Sequence, residues 1–228
     1  MLVLGIETAT KVASVGLVRD GERLAEESRL AVASHVEALL PLIVSVLARA
    51  RVSLTEVSGI GVSLGPGSFT GLRVALSTAK GFAYALGQRV VGVSTLDALA
   101  RTVTHWEGLL CPLLDARRGE VYGALFRRAL QGVPERLTSD LVLPPQELLR
   151  RVSEPCVFLG DGAETYKTLI QEQCGALAQV LPLATHPPCG TVVAEIAWER
   201  LCVGECANLA TVVPRYVRPP EATLRRKD

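Results

Sequence analysis

The opening of the chain limits what kind of sheet it can build. "LVLGIETAT" begins as a buried-strand run, and "VASVGLV" (12–18) is a second strand pattern. "RDGE" (19–22) then places Asp20-Gly21, a tight-hairpin dipeptide, ahead of "RLAEESRLA". Three strands joined by turns predict an antiparallel meander. A purely parallel, doubly wound sheet does not start this way, because its first two strands need a helical crossover between them.

Helices and strands alternate after the meander. "SHVEALLPLIVSVLARARV" is a helix predicted to start at Ser34, where Ser34 and Glu37 have capping-box spacing, and to kink or loosen at Pro41. At 100° per residue, Val36, Leu39, Leu40, Leu42, Ile43, Val44, Val46, Leu47 and Ala50 cover an arc of roughly 200°, against the ~100° that one core contact needs. The surplus means either deep burial in its own domain or a second face on a partner. "VSGIGVSLG" is a strand and "FTGLRVALSTAKGFAYALG" a helix in which Gly71, Ala75, Ala79 and Ala83 form a stripe of small residues open to the same two readings. "RVVGVS" and "TLDALARTV" complete a β-β-β-α-β-α-β-α lobe, taken as residues 1–107.

A second lobe is expected over 108–228. "LLCPLLDARRGEVYGALFRRA" echoes the opening: an apolar run, an acid (Asp115, as Glu7 before), a short loop and a β-rich run. It is either an internal duplication or simply a second hairpin. Strand, helix, strand, helix (163–173), strand and a last helix, "TVVAEIAWERLCVG", follow. The tail "VPRYVRPPEATLRRKD" is Pro- and Arg-rich and is expected to end frayed.

Two such lobes suggest an actin-like ATPase architecture, its first hairpins facing each other across a cleft. Thr8 and Thr10 then offer hydroxyls to a phosphate, and Glu7 and Asp115 a magnesium site through water. The alternative is that the threonines are turn residues and the acids cap strands. Gly65 and Gly67 in "GPGSFTG" precede a helix N-terminus, which favours anions, and Arg73 lies one turn in. But no Gly-Lys-Ser/Thr follows, and Gly65-Pro66-Gly67 can serve simply to turn the chain ahead of a Ser68 cap.

No catalytic set stands out. His35, His105 and His186 are scattered, there is no H-E-x-x-H and no G-x-S-x-G, and Cys202 and Cys206 lack a partner pair for a metal. A net charge of +1 and 4% aromatic content give no field or stacking platform for nucleic acid. With neither a signal-peptide pattern nor a run of about 20 apolar residues, a cytoplasmic protein with free thiols and no membrane contact is expected.

Taken in order, "LGIETAT", "SHVEALLPLI", "GPGSFTGLRVALSTAKGFA", "LLDARRGEVY" and "PRYVRPPEA" resemble the TsaB (YeaZ) family, "GPGSFTGLR" being the most specific block. The resemblance implies an α/β, actin-like ATPase (ASKHA, ribonuclease H-like) fold with two lobes. It also implies a part in making N6-threonylcarbamoyladenosine at position 37 of ANN-decoding tRNAs, as a partner rather than the catalyst. In that family TsaD carries the metal site and transfers the threonylcarbamoyl group, TsaE supplies ATPase activity, and the TsaB-type subunit pairs with TsaD or itself through its first two helices. On this reading Val36, Leu39, Leu40, Ile43, Leu72, Ala75, Leu76 and Ala79 are the candidate contacts. No metal and no stably held cofactor is expected. Thr8, Thr10, Gly65 and Gly67 line a residual cleft, or an ATP/ADP–magnesium site shared with TsaD. tRNA is met indirectly, Arg215, Arg218, Arg225, Arg226 and Lys227 being read as a solvated tail. The competing expectations are an autonomous ATP-binding protein and a glycoprotease-like peptidase.

Overall fold

Strand β1 (Leu2–Glu7) pairs antiparallel with β2 (Val12–Arg19), and β2 with β3 (Glu22–Leu30). Asp20 and Gly21 turn the second hairpin with positive φ of 53° and 87°, the conformation that Asp-Gly favours. The computed structural model describes residues 1–30, 35–130 and 132–218, with side chains in the first helix from Glu37 onward. Ser34 and its proposed cap, the Val36 side chain, and Arg225, Arg226 and Lys227 lie outside the described residues.

Helix α1 (His35–Ala50) runs unbroken through Pro41, which lies on its exposed side. Strand β4 (Gly59–Gly65), helix α2 (Phe69–Leu86), strand β5 (Arg89–Ser94) and helix α3 (Thr95–Thr102) follow. The Ser68 hydroxyl caps α2 by accepting the Gly71 amide at 3.2 Å, and Gly87 ends it in the left-handed region. The sheet order is β3-β2-β1-β4-β5, with β4 and β5 parallel to β1.

The second half repeats this plan. It comprises β6 (Gly108–Arg117), β7 (Glu120–Gly123), β8 (Phe126–Arg128), β9 (Glu135–Arg136), β10 (Leu141–Leu143), α4 (Pro145–Leu149), β11 (Cys156–Leu159), α5 (Asp161–Thr165), α6 (Lys167–Cys174), β12 (Ala178–Val180) and α7 (Gly190–Cys202). Its main path, β10-β7-β6-β11-β12, reproduces β3-β2-β1-β4-β5 strand for strand, with β8 and β9 added. The echo between the two hairpins is therefore a structural repeat. The single helix expected over 163–173 is two, broken at Tyr166, whose backbone (φ −105°, ψ 20°) leaves the helical region.

The domain boundary needs correction. The lobes exchange their last helices, so 1–107 and 108–228 are not separate packing units. Helix α7 lies on the first sheet, where Val192, Val193, Ala194, Ile196, Ala197 and Leu201 bury against Val3, Val18, Val91 and Val93. Helix α3 packs on the second sheet, where Leu96, Leu99, Ala100 and Val103 meet Leu110, Leu114, Phe126, Val157 and Leu159. A fully buried leucine contributes on the order of 2 kcal/mol, so each lobe depends on the other for part of its core.

Glycines make the α7 contact possible. Gly16, Gly5 and Gly61 are cross-strand neighbours, a row of missing side chains across β2, β1 and β4. A Cβ on Gly5 would overlap the Gly190 carbonyl and come within 2.5 Å of the Ala194 nitrogen. The opposite face of the sheet carries Leu4, Ile6, Val15, Leu17, Ile60 and Val62 under α1 and α2.

Candidate functional site

The two first hairpins do face each other across a cleft, of about 330 Å³. Ala9, Thr10, Lys11, Gly67, Ser68 and Phe69 line it from the first lobe, and Leu114, Asp115, Ala116, Arg117, Tyr122 and Asp161 from the second. That volume is at the lower end for a small-molecule site.

Several groups expected to serve a nucleotide there are used internally. The Thr8 hydroxyl is buried and donates to the Gly71 carbonyl at 2.8 Å. Thr10 closes a local turn, its hydroxyl accepting the Val12 amide at 3.2 Å. Glu7 is wholly buried on the α7 face of the sheet, where its carboxyl accepts the Ala9 amide at 2.6 Å and the Ser63 hydroxyl. Burial raises its pKa from the ordinary value near 4.5 to about 7, against the pull of the Ser63 and Ala9 hydrogen bonds. The magnesium role expected of Glu7 is therefore corrected: its carboxyl does not reach the cleft.

The glycine turn builds contacts within the chain. Gly65 and Gly67 take φ of 110° and 153°, and a Cβ on Gly67 would come within 2.7 Å of the Ala9 Cβ. The Ser68 amide, a natural anion donor at the start of α2, is given to the Ala9 carbonyl at 2.6 Å. Arg73 does not point into the cleft as an anion clamp. Its guanidinium stacks 3.8 Å over the Phe69 ring and donates to the Tyr216 hydroxyl at 3.0 Å.

Asp115 lines the cleft as expected. Its carboxylate accepts the Arg117 amide at 2.8 Å and pairs with the Arg117 guanidinium at 3.2 Å. Asp161, at the first turn of α5, accepts the Asp115 amide at 3.1 Å. Burial pushes Asp161 upward and the neighbouring Asp115 carboxylate adds to this, while Lys11 opposes it. A ligand entering here meets two carboxylates, Asp115 and Asp161, and two cations, Lys11 and Arg117. Among the described residues no group of three His, Cys, Asp or Glu side chains is placed to hold a metal ion.

The second candidate region is the outer face of α1 and α2, which lie side by side on the first sheet. Here most of the expected contact residues point the wrong way. Leu39, Ile43, Leu72, Ala75, Leu76 and Ala79 are buried in the lobe's own core, as is the whole Gly71–Ala83 stripe. The small residues let α2 sit close to the sheet rather than to a partner. Leu40 is the exception, 53% exposed, and Val44 one turn on is 67% exposed. On α2, Tyr84 and Leu86 are exposed. The surplus apolar arc of α1 thus divides into an inner face and a real outer one.

A family model described as TsaD, tRNA N6-adenosine threonylcarbamoyltransferase, matches residues 28–225. The tRNA threonylcarbamoyladenosine biosynthesis protein TsaB of Bacillus subtilis (strain 168) is 30% identical, over 99% of this chain and 97% of its own. The chain belongs to the TsaB (YeaZ) family. YeaZ from Pseudomonas aeruginosa, 28% identical, superimposes with a TM-score of 0.78 over 94% of this chain and 99% of that one. The (R)-2-hydroxyglutaryl-CoA dehydratase component A of Acidaminococcus fermentans, at 12% identity, shares the fold alone: its TM-score is 0.55 over 89% of this chain and 99% of that one. The fold is the actin-like ATPase fold, as the resemblance implied, and the family belongs to threonylcarbamoyladenosine formation. Among the described residues no helix is long and apolar enough to cross a membrane.

In this TsaB-family chain, four cleft residues with polar groups were not singled out from the sequence: Lys11, Arg117, Tyr122 and Asp161. The signal for Asp161 was the repeat. "GDG" follows β11 just as "GPG" follows β4, and the two strands hold equivalent places in their sheets.

Proposed function

We propose that this chain is a non-catalytic, activating subunit in the installation of N6-threonylcarbamoyladenosine at position 37 of ANN-decoding tRNAs. It works with TsaD and TsaE and pairs, with TsaD or with a second copy of itself, through the outer faces of α1 and α2. The observation that carries this reading is the exposed Leu40–Val44 ridge on a helix whose other face already fills its own core. Large apolar side chains held open on a rigid helix suit a protein contact. The internal use of Thr8, Thr10 and Glu7 supports a supporting rather than a chemical role for the cleft. An adenine nucleotide with magnesium belongs, in this proposal, only at a site to which TsaD adds donor groups. tRNA is met through the complex, in the cytoplasm.

Reconstitution tests the role. tRNA, threonylcarbamoyl-AMP and ATP are supplied to this protein alone, to TsaD with TsaE, and to all three. Modified tRNA is expected only from the full mixture. Product from this protein alone, or no effect of adding it, would end the proposal.

The face has its own test. Leu39→Asp and Ala75→Arg are unsuitable, because each places a charge in the core. Leu40→Asp with Val44→Asp changes only exposed positions. The double variant is expected to keep its thermal midpoint and to lose partner affinity on the order of 100-fold, as two hot-spot contacts would. Unchanged affinity in sedimentation or calorimetry would place the partner elsewhere. Calorimetry of the lone chain with ATP and magnesium is expected to show no saturable heat, and micromolar binding would revive the autonomous ATP-binding reading.

A further inference from the structure

The expected fraying at the chain's end lies outside the described residues, but the segment from α7 to Arg218 is described. It returns across the first lobe and is tied down in sequence. The Ala207 amide donates to the Val90 carbonyl on edge strand β5, at 2.7 Å. The Arg215 amide donates at the same distance to the Leu64 carbonyl, one residue before the Gly65-Pro66-Gly67 turn. The Tyr216 ring lies 5.2 Å from the Phe69 ring, and its hydroxyl accepts from Arg73. Pro214 is buried. Up to this point every anchor belongs to the first lobe.

The next anchor does not. The Arg218 guanidinium donates to the Ala116 carbonyl at 2.7 Å and pairs with the Glu120 carboxylate, both on the β6–β7 hairpin of the second lobe. Phe69 and Ala116, which the segment touches in turn, are opposite rims of the cleft. We propose that residues 214–218 form a latch across the cleft mouth, with Arg218 as its catch, which sets the separation of the two lobes.

The chemistry suits a device that opens. Arg218 and Glu120 are each partly exposed, at 22% and 34%, and a solvent-accessible ion pair adds little to global stability. The lobes are tied elsewhere by the exchanged helices and by Arg136 of β9, which bonds to Asp97 and Ser94 of the α3 start. Freeing Arg218 therefore leaves the fold standing and changes how the lobes populate open and closed arrangements. This inference does not depend on the choice of partner.

Distance measurement between lobes tests it. Nitroxide labels are placed at Glu22→Cys and Arg151→Cys, both exposed, in a background carrying Cys202→Ser and Cys206→Ser, the two exposed native thiols. Labelled chains are diluted with unlabelled protein so that only distances within one chain are read. The background protein is expected to give one narrow distance. Arg218→Ala is expected to broaden it and shift it to longer separation. Glu120→Gln should do the same, and the two together no more than either alone, while Arg218→Lys keeps most of the narrow population. Circular dichroism confirms that each variant is folded, and Glu120→Gln carries the test if Arg218→Ala is not. A distribution unchanged in Arg218→Ala, or in Glu120→Gln, would make the segment a passive tail and overturn the latch.

Discussion

At pH 8, Glu7→Gln is expected to be more stable than the unsubstituted protein by about 3 kcal/mol, and at pH 5 by less than about 1 kcal/mol. Glu7 is sealed between the first sheet and its surroundings with no exposed area, and burial lifts its pKa from near 4.5 to about 7. The folded state therefore holds this proton more tightly than the unfolded chain does. Below about pH 4.5 both states are protonated and nothing is lost. Between 4.5 and 7 the unfolded chain releases the proton first, so the unfolding free energy falls as pH rises. Above 7 the full cost of a buried charge is present. A glutamine keeps the shape, and its carbonyl can still accept the Ala9 amide while its NH2 turns to the Ser63 hydroxyl. Urea titrations of both proteins at the two pH values decide the matter. An equal difference at both would mean that Glu7 ionises normally and reaches solvent, which would reopen its use as a metal ligand.

Local pattern carried much of this architecture. Asp20-Gly21 announced the meander, and Ser68 the start of α2. What pattern could not carry was direction. The Gly71–Ala75–Ala79–Ala83 spacing says that four small residues share one face of α2, and does not say whether a sheet or a partner meets that face. The same holds for α1, where Leu39 and Leu40 are one residue type with opposite fates. Periodicity fixes which side chains travel together, and only tertiary packing assigns the side. The cleft was half legible. The acids and hydroxyls of the first hairpin were visible, but their use as internal hydrogen-bonding groups depends on Gly71 and Ser63, far along the chain. The return of α7 to the first lobe was hidden for the same reason, since nothing local in "TVVAEIAWERLCVG" names the sheet it covers. The clue lay in glycines 5, 16 and 61, which mean something only once the three strands are in register.

That row supplies the second large effect, in a substitution whose sign depends wholly on place. Gly5→Ala is expected to destabilise by about 3 kcal/mol or more, the upper range for overpacking, because the added carbon meets backbone rather than a yielding side chain. The Gly190 carbonyl and the Ala194 nitrogen belong to α7, so relief requires the whole helix to lift from β1, β2 and β4, which it covers together. Gly81→Ala is the counterpart. Gly81 is exposed in the interior of α2, has no atom within 4 Å of an added Cβ, and has no positive φ. There the same methyl should stabilise by about 0.5–1 kcal/mol, since it only removes unfolded-state freedom and improves helix propensity. Measuring both by urea unfolding separates the intrinsic effect of alanine from the packing of α7. If Gly5→Ala costs less than about 1 kcal/mol while Gly81→Ala stabilises as expected, α7 does not rest on the glycine row. The exchange of helices between lobes would then be wrong, and with it the shared core that leaves the Arg218 latch as the breakable link.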